Sequence, residues 1–233
     1  MSRLLISFSL VTALASSALA APRFAQPPPD SPDSPVSSQP TQIDPSELPI
    51  APPIAPVVDR ASVRAKLASN RAANLARFRA YQRKAVFPSN VYSSQKLNVW
   101  LDEDGHYCAA ATIIQMSGNT DLVAQVAEQN NFIKLGDVEQ GPVMDWILTS
   151  GLTQTEIAAI QEPFMPVGGG GYRIEPAPQP PVIITARKTE DRRLVAKYRQ
   201  VEAQIVKSRE RSLDLATDRL MQHPELAAQL LNG

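Results

Sequence analysis

Cysteine and histidine are nearly missing from this chain, which has one of the former and two of the latter in 233 residues. A single thiol excludes an internal disulfide framework, and two imidazoles are too few for a histidine-built metal site. Net charge is lacking too: Lys+Arg and Asp+Glu both total 23, so no overall field favours a nucleic acid or an anionic membrane. The GxSxG, HExxH, paired CxxC, P-loop and calcium-loop spacings are all absent. Aromatic residues make up only 6%, too few for a sugar-binding cleft, and Trp100, Tyr107 and Trp146 read as core.

Long apolar runs are confined to the first twenty residues. One positive charge, Arg3, precedes an apolar stretch from Leu4 to Leu19, and Ala18 and Ala20 supply the small residues a signal peptidase accepts. Residues 1–20 therefore read as a signal peptide, and the remainder as an exported, periplasmic or extracellular protein with no membrane span after cleavage.

Proline is abundant, with 21 copies, and it is clustered. Residues 21–58 hold twelve of them, interleaved with Ser, Asp and Gln. Proline removes amide donors and disfavours helix at the residue before it, so this segment reads as a disordered, partly extended spacer. Gly168 to Gly171 and Pro176, Pro178, Pro180 and Pro181 mark a second break, read as a hinge over 167–186. No GK[ST] follows the glycines, so they do not make a phosphate loop.

Between the breaks, 59–166 reads as one domain built as a compact bundle of short helices, with at most one short strand or hairpin. The fold class is mainly α. Residues Arg60 to Lys84 form one helix, capped by Asp59 and stopped before Pro88, with Val63, Leu67, Leu75, Phe78 and Tyr81 on its inward arc. That helix carries eight basic residues and no acid, whereas 101–165 carries ten acids and only Lys134. Intramolecular packing of the two is expected, with Arg64 and Arg71, which intrude on the apolar arc, paired to carboxylates. The alternative is a free basic arm for a polyanion.

Further along, Leu97 to Leu101 alternates like a strand before the turn at Asp102-Glu103-Asp104-Gly105, and Cys108 to Met116 reads as helix. Pro142 suits a first helical turn, and Thr153-Gln154-Thr155-Glu156 is a capping box. The segment 187–233 reads as a charged helical tail with a short seam of Leu194, Tyr198, Val201 and Ile205. Ser208 and Ser212 then occupy the next apolar places. Two heptads are too few for a stable coiled coil, so the tail is expected to be solvated or to wait for a protein partner.

Chemistry-bearing clusters are sparse. Asp104, His106 and Cys108 would share one face of a strand, but a zinc site needs a fourth ligand. Cys108 at a helix start could be an activated thiol, yet no histidine base occurs between it and His223. No catalytic, metal or cofactor-binding residue is assigned. The reading is a non-catalytic exported protein that binds or scaffolds through its C-terminal helix, the alternatives being a cysteine hydrolase using Cys108 or a polyanion-binding protein using helix 60–84.

Overall fold

A computed structural model describes residues 57–167 and 181–233, with side chains from 184 in the second stretch. The signal peptide, most of the proline-rich spacer and most of the hinge lie outside the described residues. What is described is mostly helical, with eight α-helices and no strand.

The first helix, α1 (Arg60–Lys84), begins where Asp59 accepts hydrogen bonds from the Ala61 and Ser62 amides at 3.3 and 2.8 Å. These satisfy amides that have no partner within the helix. It ends at Ala85, whose left-handed φ of 50° turns the chain and whose amide still reaches the Tyr81 carbonyl. Four short helices follow: α2 (Ala109–Met116), α3 (Thr120–Gln129), α4 (Pro142–Thr149) and α5 (Gln154–Ile160). The C-terminal part holds α6 (Pro181–Lys207), α7 (Arg209–Leu220) and α8 (Pro224–Asn232).

Contacts between α1 and the C-terminal helices run in reverse order. Arg60 meets Asp218, Arg64 meets Asp214 and Glu210, Arg71 meets the Ile205 carbonyl, and Phe78 meets Tyr198. The two are therefore antiparallel. Val63, Leu67 and Phe78 share one core with Leu194, Tyr198, Ile205, Leu213 and Leu220, all fully or almost fully buried.

That packing corrects the picture of 187–233 as a solvated tail separate from 59–166. The seam of Leu194, Tyr198, Val201 and Ile205 has its partners within the same chain, in the core it shares with α1 and α5. At its centre, the rings of Phe78, Tyr81, Phe87 and Tyr198 lie 5.5–5.7 Å apart in tilted and edge-on contacts. The hydroxyls of Tyr81 and Tyr198 are buried without a hydrogen-bond partner of good geometry.

The short strand expected at Leu97–Leu101 does not form. Only isolated bridges occur, Leu97 with Phe164 and Leu101 with Tyr107. The reason lies thirty residues on: the Asn131 side chain accepts from the Leu101 amide at 2.9 Å and donates to its carbonyl at 2.8 Å. That amide group takes the place of a neighbouring strand, so no ladder propagates.

One glycine is demanded by packing. Gly151, with φ of +76°, closes α4 against α1, and a Cβ there would lie 2.0 Å from the Leu67 carbonyl oxygen. The approach of the α4–α5 turn to α1 allows no other residue without rearrangement.

Candidate functional site

The sequence-derived candidates separate in space. Cys108 is fully buried, caps α2 by accepting from the Ala111 amide at 3.4 Å, and is not one of the ligand-bearing groups that cluster with His106. Burial pushes its thiol up to about 12, against the smaller opposing effect of the α2 amides. The helix start is present as expected, but the dry surroundings outweigh it.

Asp102, Asp104 and His106 do come together, with one candidate ligand atom from each within 4.8 Å of the others. The carboxylate of Asp102 is already engaged. It accepts from the amides of Ser89, Asp104 and His106 at 2.8–3.0 Å and lies 3.3 Å from the His106 imidazole. This is the hydrogen bonding of a turn, with Gly105 at φ of +82° completing it. Trp100 and Trp146 are core residues that donate to the Val123 carbonyl and the Ser117 hydroxyl.

The basic helix is largely paired from within. Arg71 is the centre: it donates to both carboxylate oxygens of Glu156 at 2.7 Å, to the Gly151 carbonyl at 3.1 Å and to the Ile205 carbonyl at 2.7 Å. Glu156 also accepts from the Thr153 amide, as its capping box requires, and from the Ser208 and Ser212 hydroxyls at 3.0 and 2.8 Å. Burial pushes the Glu156 carboxyl up, but Arg71, the Thr153 amide and Ser212 together hold it below its usual value. The carboxylates on α1 were expected from 101–165. Only Glu156 comes from there, whereas Arg60, Arg64 and Arg79 pair with Asp218, Glu210, Asp214 and Glu202 of the C-terminal helices.

Among the openings in the described residues, two meet along α7. A cleft of about 540 Å³ runs between Leu148, Leu152 and Ala158 on one wall and Leu215 and Arg219 on the other. A second, of about 460 Å³, lies among Ala159, Val201, Gln204, Ser208 and Arg211. Thr153, Thr155 and Leu215 line both, so the two clefts form one groove along α5 and α7. Leu215 is 54% exposed there, unusual for so large an apolar side chain in a helix.

Sequence reasoning missed this groove, although two signals were present. Arg211, Leu215 and Arg219 stand four residues apart, which places them on one helical face. Ser208 and Ser212 interrupt the apolar seam because they serve the buried carboxylate of Glu156, and α6 ends and α7 begins on either side of Ser208.

Comparison of the chain with models of known families, with curated proteins and with solved structures gives no match.

Proposed function

We propose that this is a non-catalytic protein exported to the periplasm or the cell exterior, where it binds or scaffolds a protein partner through its C-terminal helices. The observation that carries the reading is the α5–α7 groove, which has an exposed apolar residue and cationic side chains that internal ion pairs leave unused. The fate of the one thiol supports it, because a group pushed up to about 12 and closed off from solvent is a poor nucleophile at neutral pH. No helix among the described residues is long and apolar enough to cross a membrane. On this reading partner contact falls to the outward face of the C-terminal helices, since their inward face is packed in the chain's own core.

Site-specific photocrosslinking in cells tests the reading. A photoreactive residue at Leu215 or Thr155 should give a discrete adduct, and one at the exposed Ala73 on α1 should not. Absence of any adduct from the groove positions would refute it. Fusing residues 1–20 to a reporter active only outside the cytoplasm tests export separately.

A further inference from the structure

Building on the reading that the α5–α7 groove is a contact surface, we infer that its occupant is an acidic amphipathic helix of a partner protein. The first argument is charge. The carboxylates in the groove are already matched, Glu156 by Arg71 at 2.7 Å and Asp218 by Arg60 at 2.6 Å. Arg219 donates only to the neutral Gln154 side chain at 2.9 Å and to the Met144 sulfur at 3.7 Å. Arg211 is exposed and has no carboxylate partner among the described residues. Lys197 reaches Glu162 at 3.9 Å, the longest ion pair in the structure's described part. The groove therefore presents cations in excess to whatever enters it.

Spacing supplies the second argument. Arg211, Leu215 and Arg219 form a cation–apolar–cation stripe about 12 Å long at 1.5 Å per residue. A helix laid along it meets Leu215 with one apolar side chain and places a carboxylate one turn away on each side. The facing wall is low there, made of Thr155, Ala158 and Ala159. Small residues on one wall let a third helix approach to the 8–10 Å typical of packed pairs.

Backbone chemistry decides between a helix and an extended peptide. The described residues contain no strand, hence no sheet edge that could pair with an incoming chain. An extended ligand would bring its amides into an apolar cleft without partners, whereas a helix satisfies its own.

Fluorescence anisotropy on the purified protein tests this with a labelled 18-residue peptide carrying Leu at i, i+3, i+4 and i+7 on one face. Glu is confined to the positions one turn before and after the Leu face and Ala fills the rest, which keeps the peptide helical; two controls accompany it, a version with Lys for every Glu and a scrambled isomer of the acidic peptide. Saturable binding of the acidic helix is expected, weakened about tenfold or more by Arg211→Glu and by raised salt, with the scrambled isomer and the Lys version at least tenfold weaker. Circular dichroism should show Arg211→Glu folded, because the side chain takes no part in packing. Equal binding of the scrambled isomer would reduce the site to bulk charge and overturn the inference. So would no saturable binding, or stronger Arg211-dependent binding to phosphatidylglycerol vesicles than to the peptide. Crosslinks at Leu215 without acidic-helix binding would leave the contact surface standing and remove only the helix. Loss of the crosslinks themselves would remove the contact surface.

Discussion

Arg71 and Glu156 stand 85 residues apart in the sequence and meet in the interior through two hydrogen bonds of 2.7 Å. Between them they tie α1, the start of α5 and the α6–α7 junction to one point. Removing one partner leaves the other charge buried and unmatched, which costs about 3–5 kcal/mol in comparable pairs. Arg71→Met should therefore lower stability by about that amount in urea denaturation. The double variant Arg71→Met/Glu156→Leu should lose less than Arg71→Met alone, because it leaves no orphaned charge.

The same carboxyl predicts an acid response. Its folded value lies below the ordinary 4.5, so its stabilising effect is complete above the unfolded value and drains away as pH falls through the folded one. The urea midpoint should stay nearly level from pH 7 to about 5 and then drop. Glu156→Gln should start lower and fall less steeply; a parallel curve would show that other carboxylates govern the acid limb.

Cys108 should resist iodoacetamide at neutral pH in the native protein and react only as the chain unfolds, since its thiol is fully buried and pushed up to about 12. Mass spectrometry of labelled protein across a urea series reads this directly. Rapid native labelling would restore the cysteine-hydrolase alternative.

Two glycines separate backbone strain from packing. At Gly118, φ is +96° and nothing lies within 4 Å of an added Cβ, so Gly118→Ala should cost only the left-handed penalty of about 1–2 kcal/mol. Gly151→Ala adds a 2.0 Å collision with the Leu67 carbonyl and should be clearly worse, to the point of reduced soluble yield. Equal thermal midpoints for the two would contradict the tight approach of α4–α5 to α1.

Fragments 57–167 and 181–233 should each be poorly folded alone, because Leu67, Phe78, Leu194, Tyr198 and Leu213 belong to one core. Mixing them should restore helicity measured by circular dichroism. A folded 57–167 with a cooperative melt would revive the division at 167–186.

Legibility from the sequence followed the range of the interactions involved. The start and end of α1, the capping box at Thr153–Glu156 and Pro142 in the first turn of α4 were all readable, because each rests on residues within one or two turns. The Leu97–Leu101 strand failed because Asn131, thirty residues on, claims the backbone groups of Leu101. Charge runs suggested that α1 lies on the acidic region, and it does pack on α2 and the α4–α5 turn there, but of that region's acids only Glu156 pairs with it. Whole-segment totals hide the four acids, Glu202, Glu210, Asp214 and Asp218, that stand at helical spacing to face α1. The groove was the least visible feature, since its walls come from α4, α5, α6 and α7 and exist only once the C-terminal helices have docked.

The antiparallel seating of α1 against α6 and α7 sets a timetable for the newborn polypeptide. Arg60 finds Asp218 across a separation of 158 residues, so the side of α1 that faces α6 and α7 stays uncovered even after α2 and the α4–α5 turn have reached the helix. Loop closure over such a span is slow, and a translation product interrupted before α6 would leave that side of α1 exposed to chaperones and proteases. The docking of α6 and α7 is thus the step that completes the core around α1.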